Sequence, residues 1–305
     1  MSQTLGDGVE FREGVGGAGP GENEPLEKPS TFFRRFRRDK VATVALVYLL
    51  IMVALAIVGP TIAPRDPNQG VLSDSLSKPG SEYLLGTDDL GRDILSRLIV
   101  ATRVSLVAAF QAVLIAVGIG LPLGLLSGYL GGWVDNVIMR FNDALMSFPA
   151  LILAVVIVGL LGPSLTNAMI SIGLVYSPRI MRVVRGSALS AREEMYVTSA
   201  RAIGCSDLRI VGRHILPNIL SPLVVQVTLM LGLAILAEAA LSFLGLGVQP
   251  PVASWGSILG RAFPYMSITP VTVVAGGAVI SLTVLAFNLL GDGFRDSLGR
   301  ERRRA

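Results

Sequence analysis

Hydrolysis of a nucleotide needs a lysine that reaches its phosphates, usually Gly-Lys followed by Ser or Thr in a glycine-rich loop. This chain has three lysines, Lys28, Lys40 and Lys78, and they precede Pro, Val and Pro. No such loop exists, so the chain does not hydrolyse ATP itself. Metal and nucleophile chemistry are equally ill-provided. His214 is the single histidine and Cys205 the single cysteine. They support no metal cluster, no His-based triad and no internal disulfide. His214 reads as a topology or packing residue. One carboxylate, Glu238, lies deep in an apolar run, AILAEAALSFLGLG, whereas an intramembrane aspartyl enzyme needs a pair. Glu238 must face protein, water or a pore rather than lipid. Two readings stand open for it: a pore-lining or gating group, or a structural hydrogen-bond partner near the outer interface. No catalytic residue is assigned, and the chain reads as a non-catalytic subunit.

What remains is mechanical rather than chemical. Residues 193–217, EEMYVTSARAIGCSDLRIVGRHILP, form a polar, arginine-bearing segment between two long apolar runs. Ala200, Ala202 and Ile203 support a short helix. Gly204 is placed to end it in the left-handed cap position. Ser206 then fits the N-cap of a second helix, with Asp207 in its first turn.

The elements that must hold this segment are membrane spans. The 305 residues are 51% hydrophobic and 16% charged, with a mean hydropathy of +0.63. Soluble domains carry roughly 25% charged residues, so this is a polytopic membrane protein. The net charge of +4 does not indicate nucleic acid, because the basic residues cluster beside apolar runs where lipid headgroups explain them.

Residues 1–30 are rich in Gly, Glu and Pro and read as a disordered cytoplasmic tail. In residues 31–40, Phe32, Phe33 and Phe36 alternate with arginines. This segment is either a helix in the headgroup plane, aromatic side down, or a plain basic anchor. Six spans follow, at about 41–63, 103–128, 146–161, 165–182, 219–246 and 271–290. Between the first two, Thr87 is expected to cap a helix opened by Asp88 and Asp89. Gly120, Gly124, Gly128 and Gly132 fall at four-residue spacing, a close-packing stripe that serves either this subunit or a partner. Residues 133–147 read as an amphipathic interfacial stretch. Trp255 and Tyr265 are interfacial candidates in the outer loop 247–269. Asp292 and Arg295 are spaced to pair at the inner face. Basic residues favour the proposed inner segments by about three to one, which predicts cytoplasmic N- and C-termini and a cytoplasmic 193–217.

The spacing of Ala200, Gly204, Leu216 and Pro217 resembles the EAA loop of ABC-transporter permeases, the cytoplasmic segment that docks on the ATPase subunit. The strings YVTSARAIG…RIVGRHILPN, GTDDLGRDILSR, LSFLGLGVQPP…SWG and NLLGDGFRDSLGR resemble more narrowly the dipeptide/oligopeptide/nickel importer permeases, and among these the second, C-type subunit. Thr198 and Ser199 stand where the general pattern has Glu and Ala, leaving Glu193 and Glu194 as candidates for the glutamate's role.

The resemblance implies an all-α, type I ABC importer (MetI-like) transmembrane fold. Its parts would be residues 31–100 (interfacial helix, first span and outer loop), a core at 102–292 and a basic cytoplasmic tail at 293–305. ATPase coupling would fall to Glu193, Glu194, Tyr196, Val197, Ala200, Arg201, Ala202, Gly204 and Ser206, with small side chains at Ala200 and Ala202 allowing close approach. Glu238, Asn288 and Asp292 are pore or structural candidates. The implied partners are a second homologous permease, two ATPase subunits or domains carrying ATP and Mg, and an extracellular or periplasmic substrate-binding protein. The chain itself would bind no cofactor or metal and would sit in a prokaryotic plasma (inner) membrane. The implied cargo is di- or oligopeptide. Nickel chelate, glutathione, haem and exported peptide are alternatives, and a standalone secondary transporter or a scaffold are rivals of another class.

Overall fold

A computed structural model describes residues 36–299. The expectations for residues 1–30, for 31–35 of the aromatic–basic segment and for 300–305 of the basic tail lie outside the described residues. Among the described residues the secondary structure is helical, with two isolated β-bridges and no named strand.

Helix α1, Lys40–Ile62, is capped by Asp39, whose carboxylate accepts from the Val41 and Ala42 amides at 3.0 and 3.1 Å. Its small residues Ala42, Ala45, Ala56 and Gly59 face inward with Leu49, while Val44, Leu50, Ile51 and Ile57 point away from the subunit. Phe36 is not turned to the headgroups. It is buried, with its ring centroid 5.5 Å from that of Phe294 near the chain's other end.

Residues 63–93 form an irregular segment with one 3₁₀ turn, Leu72–Asp74. The helix expected from Thr87 begins instead at Ile94, with Asp93 as its N-cap accepting from the Ser96 amide at 2.9 Å. Thr87 is buried; its hydroxyl donates to the Asp74 carbonyl and accepts from the Ser77 amide. Asp88 holds a turn, accepting from the Leu90 and Arg92 amides and pairing with the Arg92 side chain. A hydroxyl or carboxylate satisfied by turn amides is no longer available to cap a helix.

Helix α2, Ile94–Leu130, has 37 residues. Glycines at 131 and 132, with φ of +68° and +56°, end it. Helix α3, Gly132–Met146, follows and is amphipathic as expected. The span expected at about 146–161 begins later, at Ala150. After a break at 147–149 the chain bends by 90° into α4, Ala150–Leu161. That helix has 12 residues, about 18 Å at 1.5 Å per residue, too short to cross a ~30 Å hydrocarbon core alone.

Helix α5, Leu165–Arg192, lies along α2, and the glycine stripe is the seam. A Cβ added at Gly120, Gly124 or Gly128 would come within 2.8 Å of Ile180, Val184 or Ala188 Cβ respectively. From the other side, one at Gly173 would meet Ile115 Cβ at 2.6 Å. The stripe therefore serves packing within the subunit, and Gly132, with open space around it, is not part of it.

Three short elements lead back: α6, Met195–Ala202; α7, Asp207–Ile210; and a π-helical turn, Val211–Ile215. They run directly into α8, Leu216–Phe243, so that Asp207–Phe243 is one 37-residue helix rather than a loop followed by a span. Helix α9, Trp255–Ala262, opens with a reciprocal Ser254–Ser257 capping box. Trp255 is fully buried, not interfacial, and its indole N–H donates to the Leu98 carbonyl at 3.3 Å. Helix α10, Pro270–Gly299, packs on α8 and α1.

Four helices, α1, α2, Asp207–Phe243 and α10, are long and apolar enough to cross a membrane, and five spans result if α3 and α4 count as one. Helix α5 is long enough, but Arg179, Arg182 and Arg185 dilute its second half. The buried core lies where α2, α5 and α8 meet.

Candidate docking loop

The loop is built around α6. Glu194, in extended conformation, precedes the helix, and Gly204, at φ +79°, ends it. The Gly204 amide donates to the Arg201 carbonyl at 2.9 Å and the Cys205 amide to that of Ala200 at 3.0 Å. Paired bonds of this kind close a helix through a left-handed residue. Ser206 is extended as an N-cap should be, but its side chain makes no capping bond; its carbonyl accepts the Ile210 amide at 3.0 Å.

The expected coupling residues divide into two faces. Val197 and Ala200 are buried in the same cluster as Ala188, Ala191 and Ile210. They seat α6 on the subunit, and Ala200 does not offer its small side chain to an outside body. Glu193, Glu194, Tyr196, Arg201, Ala202, Gly204 and Ser206 are exposed. Glu193 pairs with Arg192 at 3.1 Å, the Tyr196 ring lies 6.4 Å from that of His214, and nothing lies within 4 Å of a Cβ on Gly204. The Arg201 guanidinium stacks 5.2 Å from the Tyr129 ring centre. Hydrogen bonding to the Tyr129 side chain raises its already high pKa further.

Sequence reasoning gave no docking part to three exposed apolar residues of the loop. Met195, Ile203 and Leu208 are 82%, 81% and 88% exposed. Large apolar side chains in an otherwise polar loop were the available signal. Their exposure beside a helix seated by buried contacts makes a firm surface with apolar knobs, suited to hold another protein.

Residues 120–304 match the family described as binding-protein-dependent transport system inner membrane component. The chain belongs to that family. Residues 30–79 of the permease match a second description, the N-terminal transmembrane domain of oligopeptide transport permease C. It is 43% identical to the glutathione transport system permease protein GsiD of Escherichia coli O157:H7, over 90% of this chain and 93% of that one. The same figures hold for GsiD of Shigella sonnei. In fold it is similar to a chain of the inward-facing methionine ABC transporter MetNI. The TM-score is 0.54 at 21% identity, covering 67% of this chain and 96% of the other.

In this permease Glu238 sits on α8 with no exposed surface. Its two oxygens accept from the Ser242 hydroxyl at 2.7 Å and the Ser105 hydroxyl at 3.3 Å. Ser105 Oγ also accepts the Trp255 backbone amide at 3.1 Å. The carboxylate thus ties α8 to α2 and α9 inside the subunit, an arrangement that favours the structural reading over the pore-lining one. Glu238→Leu is expected to orphan buried hydroxyls at about 1–3 kcal/mol each, while Glu238→Gln keeps the shape and one of the two acceptor oxygens and so costs less. Thermal aggregation midpoints in detergent will separate the two, and equal midpoints would refute the linking role. Asn288 is half-buried on α10, its Oδ1 3.5 Å from where a Cβ on Gly232 of α8 would stand. Asp292 and Arg295 are both exposed, and the ion pair expected between them is not among those formed by the described residues.

Proposed function

We propose that this permease is one of two related membrane subunits of an ABC importer for short peptides. It would cross the membrane six times, with α5 as one span and α3–α4 as a bent one. Both termini and the 193–217 loop would face the cytoplasm. Met195, Ile203 and Leu208 would insert into a separate ATPase subunit, which holds the ATP and Mg. The observation that carries this reading is the pairing of those exposed side chains with a short helix anchored by Val197 and Ala200. ATP-driven closure of the ATPase pair would move α6, and α5 and α8 would carry the motion into the membrane. The peptide class rests on the match of residues 30–79 to an oligopeptide permease and on relatives named for glutathione, itself a tripeptide.

The test is reconstitution of this chain in proteoliposomes with an ATPase pair, a second permease and a binding protein of this family from the same organism. ATP-dependent uptake of labelled tripeptide, absent when any one component is omitted, is the expected result. Uptake by this chain alone, or hydrolysis stimulated by haem or a nickel chelate and not by peptide, would overturn the proposal.

A further inference from the structure

Tyr129 stands in the last turn of α2, a helix that does not flank the loop in sequence. It is 6% exposed and touches three separate parts of the loop region. Its hydroxyl donates to Asp207 Oδ1, at the first residue of the long helix that becomes α8. Its backbone carbonyl accepts from Arg192 Nη1 at 3.1 Å, at the last residue of α5. Its ring carries the Arg201 guanidinium, from the last turn of α6, at 5.2 Å. Gly131, two residues on, keeps the Arg192 approach open, since a Cβ there would come within 2.9 Å of Nη1. One aromatic residue therefore meets both flanks of the loop and the loop helix itself.

We propose that Tyr129 is a positioning residue that locks the start of the Asp207–Phe243 helix to the end of α2, so that α2 moves as a third arm with α5 and α8. The inference rests on the importer reading, in which α6 is the driven element. Two hinges flanking a driven helix would let it rock without moving the far spans. The bond from Tyr129 to Asp207 closes that freedom on the α8 side, and the bond from Arg192 closes it on the α5 side. Because α2 is seamed to α5 by glycines along several turns, a motion entering at Tyr129 is spread along the membrane rather than lost at the loop.

The experiment uses the full reconstituted complex with Tyr129→Phe, Asp207→Ala, which removes the acceptor of the hydroxyl's bond, and the double variant. Tyr129→Phe keeps the ring under Arg201 and the backbone bond to Arg192 and removes only the hydroxyl. Expected are normal co-purification with the ATPase, unchanged basal hydrolysis, and about a tenfold fall in peptide imported per ATP hydrolysed. The double variant should be no worse than either single one, as for two ends of one bond. A merely stabilising tyrosine would change yield and aggregation midpoint without altering the import-to-hydrolysis ratio, so an unchanged ratio in Tyr129→Phe overturns the proposal. Strictly multiplicative losses in the double variant overturn it too. Failure of the unmodified chain to co-purify with the ATPase would instead sink the importer reading, which keeps the two failures apart.

Discussion

Replacing Ile203 and Leu208 together with aspartate is expected to abolish uptake while the permease still inserts and folds. Both side chains are more than four-fifths exposed, so the substitutions remove nothing from the subunit's own core. Burying one such side chain in a partner contributes about 1.5–3 kcal/mol. Losing two weakens ATPase docking by roughly 10²-fold to 10⁴-fold, before the added cost of desolvating two carboxylates. Co-purification with the ATPase is the direct readout, with detergent stability as the control. An intact complex carrying both aspartates would show that this face is not the docking surface. Single changes nearby act by other routes. Gly204→Glu forces a side chain into the left-handed region at φ +79°, costing about 1–2 kcal/mol, although space for it is open. A charge at Ala200 would be buried and would unseat α6 from within.

Gly124→Leu is expected to cause the largest loss of folded protein. A Cβ alone at this position would stand 2.7 Å from the Met181 carbonyl and 2.8 Å from Val184 Cβ, distances at which the helices must separate. Overpacking a core costs typically about 1–3 kcal/mol and more where backbone blocks relief. Here backbone does block it, and the adjacent contacts at Gly120 and Gly128 are equally tight. Gly118→Leu on the same helix is the matched control, because nothing lies within 4 Å of its Cβ position. Monodisperse yield after detergent extraction should collapse for residue 124 and hold for residue 118; similar yields would show that the α2–α5 seam does not govern folding.

Patterns set by a single helix were legible in the chain. The glycine stripe at 120, 124 and 128, the amphipathic 133–147 and the cap at Gly204 each follow from spacing and backbone freedom, and the structure carries all three, although Gly132, the fourth glycine at that spacing, lies in open space. What sequence could not disclose was competition between partners. Thr87 and Asp93 are both adequate caps, and the choice turned on which of them the neighbouring turn consumed. Ala200 and Ala202 look alike in sequence, yet one seats the loop helix and the other faces out. Phe36 belongs with aromatic residues that suggest a headgroup anchor, until Phe294 arrives from nearly the other end of the chain to bury it. The bend between α3 and α4 falls at a Ser-Phe-Pro run, 147–149, where the amphipathic stretch gives way to the third span, and its 90° angle is not written in the pattern of either. Docking is the least legible layer, because exposure of Met195, Ile203 and Leu208 is a property of the fold and not of the residues.

The π-helical turn at Val211–Ile215 has a consequence for aim. A π turn amounts to one surplus residue in an α-helix, and each residue of an α-helix sweeps about 100° around its axis. Everything upstream of the turn, Leu208 and the α6 helix included, is thus rotated about the long α8 axis by over a quarter of a circle from where an unbroken α-helix would leave it. The compass bearing on which this subunit presents its apolar knobs is set by a counting irregularity in five residues that themselves need touch no partner.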